Sequence, residues 1–108
     1  VTQGVLVRAG ATVLAVASAM VEQVLRLKAD AMVVLYEKKI VEWQGRSYPL
    51  YYLQHLLGTA GATEIQSYNS ILLLRSGIHR IALHVTELLG NHEIVVNPVV
   101  KIMSQANP

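Results

Sequence analysis

The sequence predicts a mainly β fold built from two small, related subdomains. The first observation behind this is an internal echo, in which segment 5–25 returns 67 positions later as 72–95. Sliding one copy over the other pairs Leu6 with Leu73, Arg8 with Arg75, Gly10 with Gly77 and Ala15 with Ala82, and makes Val5/Leu72, Val7/Leu74, Leu14/Ile81 and Val16/Leu83 conservative exchanges. The second is that both copies spell one unit: apolar strand, Arg-small-Gly turn, apolar strand. The third is that, with four extra residues allowed at 88–91, Glu22-Gln23-Val24 faces Glu93-Ile94-Val95 and carries the echo into a further strand. Aliphatic strands often resemble one another by chance, but the shared turn and the shared Glu-x-Val favour duplication. A period this long, seen twice, is not a solenoid.

In chain order, 5–7 and 13–16 are aliphatic or β-branched and flank Ala9-Gly10-Ala11, where glycine supplies the positive φ of a tight hairpin. Segment 18–27 is ambiguous. Met20, Val21, Val24 and Leu25 fit helical spacing, whereas 24–27 fits a strand, and the second copy, with Ile94-Val95-Val96, favours the strand. Asp30 is a candidate N-cap for a helix over 31–39, with Lys38 and Lys39 at the end where the helix dipole favours cations. Segment 41–43, turn 44–47 and segment 48–51 read as a second kind of hairpin, and Pro49, which has no N–H, predicts an edge position or strand end. Residues 52–57 read as a helical turn closed by Gly58. Segment 59–69 is the candidate linker. Residues 70–74 and 80–85 form the second copy's hairpin about 76–79, 94–96 the next strand, Pro98 its end, and 99–104 the start of a helix.

Composition narrows the class. Over 108 residues, 53% are hydrophobic and 15% charged, a balance that excludes intrinsic disorder and leaves more apolar surface than two small units can bury. The longest apolar run, 71–74, is far below the about 20 residues of a spanning helix, and no signal-peptide pattern opens the chain. The absence of cysteine excludes disulfide and thiol chemistry and fits a reducing compartment, with the cytoplasm as the default. The formal charge is +2, and its basic residues fall in short separated clusters (Arg26, Lys28; Lys38, Lys39), which argues little for nucleic acid.

Catalytic constellations are not visible. His79 and His84 point to opposite faces of a regular strand, with Ile81, Leu83 and Val85 on one face and His84 on the other beside Ala82 and Arg80. Zinc needs three or four convergent ligands, and neither these nor His55 and His92 supply them. The serines lack a nucleophile-elbow context, the carboxylates are scattered, and no glycine-rich phosphate loop occurs. Trp43 with Tyr48, Tyr51 and Tyr52 is the one aromatic concentration. It suits core or interface packing, or alternatively, with Arg46, Arg75 and Arg80, a small β-barrel module stacking on single-stranded nucleic acid. Exposed apolar surface points instead to protein binding.

The run Leu14-Ala15-Val16 followed by Val21-Glu22-Gln23-Val24-Leu25, the segment Tyr48-Pro49-Leu50-Tyr51-Tyr52-Leu53 leading to Leu56-Leu57-Gly58, and Ile81-Ala82-Leu83-His84-Val85 running on to Gly90-Asn91-His92-Glu93-Ile94-Val95-Val96 together resemble the CheW-like domain. This is the chemotaxis adaptor fold, also found as the regulatory domain at the C-terminal end of CheA-type histidine kinases. The resemblance covers nearly the whole chain. Segment 43–53 is most similar to the large hybrid kinases of type IV pilus systems. The resemblance implies two SH3-like β-barrels, here subdomain one at 1–58, linker 59–69 and subdomain two at 70–98. It also implies no catalysis and no cofactor, and the ligand count above leaves no metal site.

By the same resemblance, the partners are chemoreceptor cytoplasmic tips and CheW-type adaptor or CheA-type kinase domains. Val21, Val24, Gln44 and Gly45 would line a receptor-facing groove between barrels, with Glu22 and Arg46 as its polar rim and Glu93, in the second barrel, near the adaptor–kinase contact. The opposing reading of Val21 and Val24 is that they face the core. The chain departs from the family at Tyr52, where Asp is frequent, at Asn97, where Lys is frequent, and at Pro108, before a closing C-terminal strand pair. The expectation is a truncated domain whose first barrel is incomplete, with unpaired strand edges that favour a dimer or domain swap.

Overall fold

A computed structural model describes residues 2–94. The chain runs β1 (Thr2–Ala9), β2 (Thr12–Ala17), β3 (Val21–Lys28), α1 (Ala29–Lys38), β4 (Ile40–Trp43), β5 (Arg46–Tyr52), α2 (Leu53–Leu56), β6 (Tyr68–Ser76), β7 (His79–Val85) and β8 (Glu87–Ile94), with a 3-10 turn at Ser18–Met20. The mainly β expectation holds. The strands form a three-stranded sheet in the order β2-β1-β8 and a five-stranded sheet in the order β3-β6-β7-β5-β4. The larger one curls into a half-barrel of the SH3-like kind.

The two echoed hairpins have the same backbone. Ala9 lies opposite Thr12 and Ser76 opposite His79, so each turn has two residues, and in each the first is a glycine at φ 62°. Any residue with a Cβ is strained there. The third strand of each copy then crosses over. β3, which follows the first hairpin, pairs with β6 of the second, while β8, which follows the second hairpin, pairs with β1 of the first.

The exchange is reciprocal down to its register. Val21 lies opposite Leu74 and Leu88 opposite Val7; Val24 opposite Leu72 and Asn91 opposite Val5; Leu25 opposite Ile71 and His92 opposite Gly4. Each pair maps onto its counterpart at the single offset of 67 positions, and the ladder irregularity falls at the same place in both, leaving Glu22 and Leu89 as the extra residues. The four-residue insertion expected at 88–91 is therefore absent. Those residues are strand, and Glu93 is the counterpart of Arg26 rather than of Glu22. The shared Glu-x-Val wording misled the alignment, because the bulge is present in both copies and requires no gap between them.

Two cores result. The first lies where the sheets face each other and is assembled from matched positions of the two copies: Val5 and Leu72, Val7 and Leu74, Val16 and Leu83, together with Leu53 and Val85. The second lies inside the half-barrel, where Ile71, Leu73 and Ala82 from the other face of β6 and β7 meet Met32 of α1, Val41 and Tyr48. β6 and β7 are thus buried on both faces, which explains the unbroken apolar run at 71–74. Each fully buried leucine contributes about 2 kcal/mol.

Local expectations fare variously. Segment 18–27, expected as strand, is strand from Val21 to Lys28, preceded by the 3-10 turn at Ser18–Met20. α1 begins before Asp30, which sits in its first turn and accepts the Ala31 N–H at 2.8 Å, while Lys39 at φ 63° closes the helix by donating to Leu35 O. Gly58 does terminate α2: its N–H reaches His55 O and the Thr59 N–H reaches Gln54 O, the paired bonds of a Schellman end. Pro49 does not mark an edge, since β5 lies between β4 and β7. It is tolerated because the parallel pairing with β7 starts one residue later, at Leu50 opposite Ala82. The predicted strand end at Val95 and Val96, the stop at Pro98 and the helix start at 99–104 lie outside the described residues.

Asn69, placed in the candidate linker by its polarity, is a fully buried member of β6. Its Oδ1 accepts the Gln66 N–H at 2.9 Å, and its Nδ2 donates to Gln66 O and to Leu27 O, so one side chain fastens the irregular segment before β6 to β3. Asn69→Ala is expected to lower unfolding free energy by about 2 kcal/mol or more, because buried backbone groups lose their partner. Urea denaturation with an unchanged m-value checks it.

Candidate functional site

A groove runs where the exchanged strands β3 and β8 approach one another. One stretch of about 280 Å³ is walled by Val5, Ser18, Val21, Val24, Leu88, Gly90 and Asn91, and a second of about 430 Å³ by Arg8, Val24, Arg26, Tyr68, Ser70, Glu87 and Leu88 with Gln66 and Thr86. The two stretches adjoin at Val24 and Leu88. The middle of the groove is aliphatic. Val24 is 37% exposed, whereas Val21 is half-buried and packs on the first core.

The ends of the groove are polar and held in place. Ser18 Oγ donates to Asn91 Oδ1 at 3.1 Å. At the other end Arg8 pairs with Glu87 at 3.3 Å, and the Arg26 guanidinium lies 4.9 Å from the Tyr68 ring centroid. An aliphatic floor running from a neutral polar end to a charged one suits an amphipathic helix laid lengthwise.

The remaining site residues expected from the sequence are dispersed. Glu22, the extra residue of the β3 bulge, turns away from the groove: its carboxylate accepts from Tyr48 Oη at 2.6 Å and lies 3.7 Å from Arg80 Nε, tying β3 to β5 and β7. That carboxylate pushes the Tyr48 hydroxyl above its ordinary range by holding its proton. Gln44 and Gly45, both at positive φ, form the exposed two-residue turn between β4 and β5, with Arg46 at its exit and β4 at the opposite edge of the sheet from β3. Glu93 is exposed on β8 opposite Gln3, in the sheet of the first hairpin rather than of the second. Leu88, Asn91, Arg26 and Tyr68 were missed. The undisturbed offset of 67 would have revealed the first two as partners in position of Val21 and Val24.

The candidates for chemistry are spent on structure. Tyr48 and Tyr52 are buried, Trp43 packs edge-on against Tyr48 with centroids 6.4 Å apart, and Tyr51 alone of the four is exposed, at 42%. A strand of nucleic acid would find no stacked platform there. His84 is fully buried, on the face of β7 opposite Leu83 and Val85 as the alternation predicts, with Nδ1 2.7 Å from Tyr36 Oη and its ring beside Tyr52. His55 is hydrogen-bonded to Gly61 O at 2.7 Å. Among the described residues no three His, Asp or Glu side chains gather as a metal site, and no helix is long and apolar enough to cross a membrane.

A family model described as the CheW-like domain matches residues 3–108. No curated protein matches the chain.

Burial pushes the His84 imidazole down from 6.5 to about 4 and the Tyr36 hydroxyl up to about 12. The unfolded chain therefore takes up a proton at His84 near pH 6.5 that the folded chain refuses until about pH 4. Stability from this group is complete above pH 6.5 and falls as pH drops toward 4, by about 3 kcal/mol. His84→Asn, which keeps an acceptor for Tyr36, is expected to flatten that part of the stability profile in denaturant titrations at pH 4.5 and 7.

Proposed function

The chain belongs to the CheW-like domain family, and from that premise we propose that it works as a non-catalytic coupling element whose groove between β3 and β8 receives the helical cytoplasmic tip of a chemoreceptor. Members of the family are chemotaxis adaptors and scaffolds that act through protein contacts. The observation that supports this reading is the pair of adjoining, solvent-open hollows that meet at Val24 and Leu88, one lined largely by aliphatic side chains and the other rimmed by Arg8, Arg26 and Glu87. Its shape matches one face of an amphipathic helix, with Val21, Val24 and Leu88 as the apolar contacts and Arg8, Arg26 and Glu87 as the polar ones. In this reading the signal passes to a CheA-type kinase, as in type IV pilus systems, from a domain residing in the cytoplasm.

Gln44, Gly45 and Arg46 form a separate contact turn, and Glu93 faces a neighbouring adaptor or kinase domain. β2 has one strand partner, β1, among the described residues. Beside exposed Val13, its other edge has no strand partner among the described residues, which supports self-association by edge pairing, with oligomeric state as the readout.

The experiment is capture of a receptor cytoplasmic-tip fragment by the purified domain. Val24→Asp is expected to weaken capture at least tenfold, since a carboxylate would be buried against an aliphatic surface. Val13→Asp, at a position 52% exposed on β2, should leave it unchanged. Equal capture by wild type and Val24→Asp would refute the assignment of the groove.

A further inference from the structure

The two echoed hairpins share a backbone but not a fate. At the first turn the Gly10 N–H donates to Thr86 Oγ1 at 2.8 Å, the Thr86 N–H donates to Arg8 O at 2.8 Å, and Arg8 pairs with Glu87 at 3.3 Å. The Gln54 amide lies so close that a Cβ on Gly10 would meet its Nε2 at 2.6 Å. The Thr86-Glu87 dipeptide thus caps this turn with a hydroxyl, a backbone bond and a carboxylate.

None of these contacts has a counterpart at the second turn among the described residues. At the offset of 67, Ala19 stands for Thr86 and Met20 for Glu87, in a 3-10 turn. A Cβ on Gly77 would meet nothing within 4 Å, and an open cleft of about 300 Å³ walled by Ala19, Glu22, Arg75 and Gly77 lies where the first turn is filled. Arg75 stands directly opposite Arg80, a like-charge pair that is unfavourable unless an anion intervenes. The one carboxylate present, Glu22, is committed to Tyr48 and Arg80. In place of Ala11 the turn carries Ile78, 87% exposed.

We propose that the β6–β7 turn is a second protein-docking site, which takes an extended segment bearing a hydroxyl residue followed by a carboxylate. That segment would give Arg75 and the Gly77 N–H from another molecule what Arg8 and Gly10 receive within the chain. Charge complementarity selects an acidic segment, and Ile78 selects a protein over a free anion, because an isolated anion leaves that side chain in water. The site is separate from the groove between β3 and β8, so its failure leaves the receptor assignment standing.

The probe is a blocked peptide copying Val85 to Leu89 (Val-Thr-Glu-Leu-Leu), titrated into the nitrogen-15-labelled domain. Saturable amide shifts are expected at Gly77 and Ile78. Binding should weaken at least threefold in Arg75→Glu, an exposed change whose unchanged spectrum elsewhere reports an intact fold, and equally with the control peptide Val-Ala-Gln-Leu-Leu. The double variant Ala19→Thr, Met20→Glu, which supplies the cap internally, should no longer bind the peptide. Absence of saturable shifts at Gly77 and Ile78, or equal binding of both peptides, would overturn the proposal.

Discussion

The structure depends on one constraint: neither hairpin keeps its own third strand. A two-stranded hairpin is marginal in water and needs a further strand or a packing surface to persist. Here each hairpin obtains that strand from the other copy, β3 going to β6 and β8 to β1 in matching register. The exchange brings matched aliphatic positions face to face, so the first core belongs to both copies at once and the halves cannot separate without exposing it.

The same crossing creates the groove. Because β3 and β8 each lie at the outer side of the hairpin they join, they approach one another across the approximate twofold relation. Val21 with Leu88 and Val24 with Asn91 then form walls of one channel. The bulge in each strand aims Glu22 away from that channel and into a bond with Tyr48. The buried Asn69 and His84 and the more exposed Glu22 all act as fasteners between elements.

Much of this was legible in the sequence, for physical reasons. The hairpins were readable because Gly10 and Gly77 supply a positive φ at the same place in each copy of the aliphatic repeat. The helix over 31–39 and the stop at Gly58 followed from capping chemistry, although the first shifted by a turn's edge because Asp30 bonds locally to Ala31. Strand pairing was not readable, since partner choice is nonlocal and both copies offer the same aliphatic edge. Gly90 and Asn91 fell within the four residues taken as an insertion, which disguised β8 and displaced the alignment onto Glu93. Asn69 read as linker because polarity alone does not distinguish a solvated side chain from a buried one with every bond satisfied. The groove was half visible, through Val21 and Val24, and the other half was hidden with β8.

The most direct measurement is the set of interstrand nuclear Overhauser contacts of β3 and β8 in solution. Reciprocal exchange predicts contacts joining the segment around Val24 to that around Leu72, and the segment around Asn91 to that around Val5, in one common register. Contacts joining β3 to β2 and β8 to β7 within each copy, or a four-residue slip between the two ladders, would contradict it, and the shared core and the groove would fall together.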